Sequence, residues 1–91
     1  MIELKFRMFG AFRKYERDLV PFVLRAEEPL TVAVAKDRLA RRLGEIDEAF
    51  GAAGDQLVKD SAIANETRVL SPDTVLTGSC TLSLLPPVCG G

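Results

Sequence analysis

The sequence predicts an α+β fold in which one main helix packs on a mixed sheet of four to five strands. Three observations carry the prediction. Apolar and polar residues alternate with period two near both ends of the chain. A segment between them repeats its apolar residues at three- and four-residue spacing. The remaining apolar runs are short and separated by turn chemistry.

Ile2, Leu4, Phe6 and Met8 alternate with Glu3, Lys5 and Arg7, as a half-buried strand requires. FGAFRKYERD follows, broken at Gly10, and reads as a connection with room for one helical turn. LVPFVLRA resumes the strand pattern and can pair with the first strand as an antiparallel hairpin. Pro21 has no N–H for a ladder, which places this second strand at a sheet edge or bulges it near its start.

Thr31 then precedes VAVAKDRLARRLG and suits an N-cap, while Gly44 suits the position where positive φ ends a helix. Val32, Ala35, Leu39 and Leu43 form its apolar stripe; Lys36, Arg38, Arg41 and Arg42 read as its solvated side. EIDEAFGAAG adds a short helical turn before Gly54. SAIANETRV reads as a short strand from Ser61 to Ala64, a turn at Asn65 and Glu66, and a strand from Thr67 to Val69. SPDTVLTGS is loop, and CTLSLL is the final strand, with Cys80, Leu82 and Leu84 on one face. One helix across such a sheet is a β-grasp arrangement, spanning 1–91 as a single domain with an extended tail at 86–91.

Composition narrows the function classes. A formal charge of -1 argues against nucleic acid as main partner, since phosphate-backbone binding needs a clustered basic excess. No apolar run approaches the roughly 20 residues that span a bilayer, and MIELKFRMFG lacks the apolar core of a secretory signal, so the expected location is cytoplasmic. Cys80 and Cys89 fit neither a redox pair nor a zinc knuckle, and two free thiols are expected. There is no histidine, which removes the commonest general base and metal ligand. No metal or phosphate-binding constellation is visible, and any catalytic groups are expected on a partner.

The tail PPVCGG has its own physical logic. Pro86 and Pro87 stiffen the chain directly after the last strand, and Val88 adds an apolar grip. Gly90 and Gly91 lack side chains and can thread a narrow tunnel. A carboxylate there is a poor electrophile until activated, for instance as an anhydride with AMP, and activation requires entry into another enzyme's nucleotide site.

PPVCGG resembles the PPV-x-GG terminus of the small sulfur-carrier subunit of molybdopterin synthase, the MoaD family of ubiquitin-like proteins. FGAFRKY, from Phe9 to Tyr15, is similar to that family's FGxxR stretch, and AIANETRV to its VAVNxxxV segment. The resemblance covers essentially the whole chain and is most specific at the tail. It implies a protein substrate: Gly91 would be adenylated by a ubiquitin-activating-type adenylyltransferase (MoeB-like) using ATP and become a thiocarboxylate, with Gly90 as the slender neck. The chain itself would bind no cofactor. The loaded tail would enter the large molybdopterin synthase subunit (MoaE-like) in a hetero-oligomer and give sulfur to cyclic pyranopterin monophosphate. Pro86, Pro87, Val88, Cys89, Phe9 and Arg13 are the expected partner-binding residues, with an exposed sheet face beside the final strand.

One local feature departs from that pattern, and the variable position of the tail needs its own reading. The family's acidic DGDEV-type turn is TGSCTL here, so contacts made by those acids are not expected. Cys89 reads as a small tolerated side chain rather than a sulfur relay, because no neighbouring cation lowers its pKa. Phe9, Phe12 and Tyr15 are candidates for an apolar docking surface, with at least one of them expected in the core. Three alternatives stay open: a sulfur carrier for thiazole, cysteine or tRNA thiolation; a ubiquitin-like modifier joined to lysines; and a plain interaction module.

Overall fold

The computed structural model describes residues 1–16 and 22–87. β1 (Ile2–Met8) leads into a 3-10 turn (Gly10–Tyr15), after which β2 (Phe22–Ala26) returns antiparallel along β1. β3 (Leu30–Thr31) precedes helix α1 (Val32–Ile46) and helix α2 (Gly51–Asp60). β4 (Ala62–Ala64), β5 (Val69–Leu70), β6 (Val75–Leu76) and β7 (Cys80–Leu85) complete the order. The main sheet runs β2-β1-β7-β4-β5, and β3 pairs with β6 in a separate two-stranded sheet. β1 and β7 are parallel, while the other pairs are antiparallel, so the main sheet is mixed.

The alternation in β1 and β7 does what its period demands. Leu4, Phe6, Leu82 and Leu84 are fully buried against α1, and Cys80 faces the same way opposite Leu4. α1 closes the core with Val32, Ala35, Leu39, Ala40 and Leu43. Thr31 caps it, its Oγ1 accepting from the Val34 N–H at 3.2 Å. The next orphan donors are met from outside: the Val32 N–H reaches the Thr74 carbonyl at 2.9 Å and the Ala33 N–H that of Pro72 at 3.0 Å. The segment read as pure loop at 71–79 is therefore the N-terminal plug of α1, and it carries β6.

β2 lies at the sheet edge, as Pro21 suggested; Pro21 itself falls outside the described residues. Gly44 does not end α1. Its φ is not in the left-handed region, the helix runs on to Ile46, and Asp47 closes it through its N–H to the Leu43 carbonyl at 3.0 Å. Gly54 likewise sits inside α2, which is a full helix and not a single turn. Lys36 is half-buried rather than solvated: its Nζ donates to the Lys59 carbonyl at 2.8 Å and the Ser61 carbonyl at 2.6 Å, tying α1 to the end of α2. Among the described residues no helix is long and apolar enough to cross a membrane.

Candidate functional site

The features singled out in sequence converge on one end of the sheet. β7 is flanked by β1 and β4 at the centre of the sheet, and it runs straight into Pro86 and Pro87. The parallel register pairs Met8 with Leu84, so β1 and β7 leave the sheet side by side. β1 gives way to the Phe9 to Tyr15 turn, and β7 to the tail root. Pro86 is half-buried and Pro87 exposed. Val88, Cys89, Gly90 and Gly91 lie outside the described residues.

The turn beside the tail root is pinned at three points. Phe12 is 1% exposed and anchors the turn in the core. Glu16 folds back onto β1, its Oε2 accepting the Met8 N–H at 2.6 Å and its Oε1 lying 3.6 Å from Arg7 Nε. That carboxylate takes a donor left beyond the β1–β2 ladder, whose last aligned pair is Phe6 with Phe22. At the far end of the turn the Tyr15 hydroxyl donates to Asp47 Oδ2 at 2.6 Å, and its ring meets Phe50 edge-on at 6.3 Å.

This last contact shifts both of its groups. Burial first, then the hydrogen bond and negative charge of Asp47, push the Tyr15 hydroxyl up to about 12. The Tyr15 hydrogen bond, followed by the Ala49 N–H, holds the Asp47 carboxyl below the usual carboxylate range. Lys14 adds an ion pair to Asp47 at 3.7 Å. Burial pushes the Cys80 thiol up.

Of the three aromatic candidates, Phe12 is core, Tyr15 is half-buried and Phe9 is 40% exposed. The Arg7 guanidinium lies 5.9 Å from the Phe9 ring centroid, which holds that ring at the surface. Arg13 is exposed on the same turn and has no ion pair among the described residues. Phe9, Arg13, Pro86 and Pro87 are thus brought to one end of the molecule.

The outer sheet face is divided. Glu3 and Lys5 of β1 align with Arg25 and Val23 of β2, and with Arg7 just beyond the ladder they make a charged half. Across β7, Thr81 and Ser83 stand opposite Lys5 and Arg7. Beyond them Leu85 aligns with Ala62, and Ser83 with Ala64, which in turn aligns with Val69. This second half is small-residued and apolar, and Val69 is 60% exposed there. Sequence reading anticipated an exposed face beside the final strand but did not assign Ala62, Ala64 and Val69 to it, because those three sit in strands of two or three residues. No cluster among the described residues could hold a metal ion.

The structure is similar to the crystal structure of SAMP1 from Haloferax volcanii, with a TM-score of 0.66 over 98% of this chain and 99% of that one. Sequence identity is 16%, so the likeness is one of fold: the ubiquitin-like β-grasp, with one main helix on a mixed five-stranded sheet. No family model matches the chain. No curated protein matches it in sequence either.

Proposed function

We propose that the chain is a ubiquitin-like sulfur carrier acting as the small subunit of molybdopterin synthase. The observation that carries the reading is the junction of β7 with the tail: the central strand of a ubiquitin-like sheet delivers a Pro-Pro arm beside an apolar face, and VCGG follows in sequence. In this reading the Gly91 carboxylate attacks the α-phosphorus of ATP in an activating enzyme and expels pyrophosphate. A sulfide-level sulfur then displaces AMP from the acyl adenylate, leaving a thiocarboxylate. The large synthase subunit supplies the catalytic groups for transfer to the pterin, and water returns the glycine to a carboxylate. Val69, Ala62 and Leu85 give that partner an apolar face to cover, and Phe9, Arg13, Pro86 and Pro87 edge it.

A ubiquitin-like modifier begins from the same acyl adenylate, and the SAMP1 fold suits both uses. Intact-protein mass after incubation with ATP, a MoeB-like activating enzyme and a sulfur donor separates them. The expected product gains the difference between sulfur and oxygen at Gly91 and supports dithiolene formation with a MoaE-like subunit. Lysine-linked adducts would favour the modifier. An unchanged mass, with an enzyme that loads its own carrier, would reject both.

A further inference from the structure

We propose that Gly10 is a positioning residue for the C-terminal arm: its missing side chain is the seat of the Pro86 ring, and this seat sets the direction in which the chain leaves the sheet. Two independent observations meet at this residue. Gly10 has φ +57, a left-handed backbone that L side chains rarely adopt. A Cβ placed on it would lie 2.7 Å from Pro86 Cγ, well inside contact, and 3.7 Å from Cδ. Gly10 and Pro86 are each two residues past the last aligned pair of the parallel strands, Met8 and Leu84, so the approach is fixed by the register.

The turn cannot step back to admit a side chain. Phe12 holds it to the core, its N–H bonds the Phe9 carbonyl at 3.1 Å, and Glu16 clips it to Met8. Pro86 is the movable party. Its ring must swing outward if a Cβ appears at position 10, and Pro87 swings with it, since paired prolines transmit direction along an extended chain. Five residues follow Pro86 in the sequence and reach at most about 17 Å when extended. A swing of about 1 Å at the root therefore becomes several ångströms at the far end of such an arm.

The packing stands without any function; its consequence for sulfur loading rests on the carrier reading above. The test keeps the two apart. A nitroxide on Cys89, in a full-length Cys80→Ser background, reports arm direction through paramagnetic broadening of backbone amides on the outer sheet face. Gly10→Ala should redistribute that broadening, at least doubling it at some amides and halving it at others. Pro86→Ala removes Cγ and Cδ and leaves a Cβ at 3.8 Å, which is ordinary contact. In that background Gly10→Ala should leave the pattern unchanged.

The penalty of the left-handed backbone is common to both backgrounds and cancels in the cycle. Gly10→Asn tolerates that backbone better while still carrying a Cβ. It should shift the pattern as Gly10→Ala does, and it serves if the alanine variant folds poorly. Folded Gly10→Ala or Gly10→Asn protein with unaltered broadening, or an equal change in the Pro86→Ala background, would overturn the proposal. Loading of Gly91 should slow about tenfold in Gly10→Ala, mainly through KM. If the unsubstituted chain takes up no sulfur while the broadening cycle behaves as described, the carrier reading fails and the seat stands.

Discussion

Gly54→Ala sets two opposing terms against each other at one atom. Gly54 lies within α2, where alanine is the better helix former by about 1 kcal/mol. Its φ is not left-handed, so backbone strain does not enter. A Cβ there would sit 2.6, 2.7 and 2.9 Å from Cδ1, Cγ and Cε1 of Phe50. Those are ring atoms of a side chain only 6% exposed, so the whole ring has to retreat by the best part of an ångström. Its retreat strains the edge-on contact with Tyr15, and forced core shifts of this kind cost about 1–3 kcal/mol. The clash should win, leaving the variant about 1 kcal/mol less stable.

Urea unfolding reads the difference, and the tyrosine band of the near-ultraviolet dichroism, at longer wavelength than the phenylalanine bands, follows Tyr15 alone, because the chain has one Tyr and no Trp. In a Phe50→Leu background the obstruction is smaller, and the same substitution should become stabilising by a few tenths of a kcal/mol to about 1 kcal/mol. A stabilised Gly54→Ala single variant with its Tyr15 signal intact would refute the reasoning. It would show that the Phe50 ring yields freely into the open cleft of about 210 Å³ between α2 and the 3-10 turn.

Lys36→Met should cost about 1–2 kcal/mol, since it strips two carbonyls at the end of α2 of a charged donor. Arg38→Met, on the exposed side of α1, should stay within about 0.5 kcal/mol when both are unfolded in urea. The Tyr15–Asp47 bond predicts a stability plateau bounded on both sides. Asp47 has a lowered pKa, so its contribution is present above the ordinary carboxylate value and is lost as pH falls below about 4. Tyr15 has a raised pKa, so its contribution is complete below 10.0 and is lost as pH climbs toward about 12. Urea midpoints across pH should fall at both ends, and Tyr15→Phe should flatten both falls. An absorbance titration of the single tyrosine with a midpoint near 10.0 would contradict the geometry.

The long elements were legible because burial on one face imposes a period. β1 and β7 carry unbroken alternation, and α1 carries an apolar stripe behind a threonine cap. The glycines misled, because composition does not say whether a missing side chain serves a turn or a close approach. Gly44 and Gly54 resemble stops and lie inside helices, the second under the Phe50 ring. β3 and β6 have two residues each, too few to show any period. Lys36 looked like one of a row of solvated cations, and only the end of α2, more than twenty positions on, gives it carbonyl partners. At the candidate site the tail motif was visible in sequence, and Phe9 and Arg13 lie exposed on the turn beside its root. The seat of Pro86 on Gly10 was not, since it joins residues 76 positions apart that meet only through the parallel register.

That parallel pairing also bears on how the protein comes into being. β7 lies between β1 and β4, and its first aligned residue, Cys80, meets Leu4. Until β7 is made and seated, β1 has a partner only in β2, and the outer apolar half of the sheet has no centre. Contacts of such long sequence separation are entropically costly to close, so they form late and slowly. A ribosome-bound or misfolded chain therefore has no directed arm, whatever residues it carries at its end. Under the proposed carrier role, an activating enzyme that recognised the sheet face together with the tail would select against immature chains without any separate chaperone step.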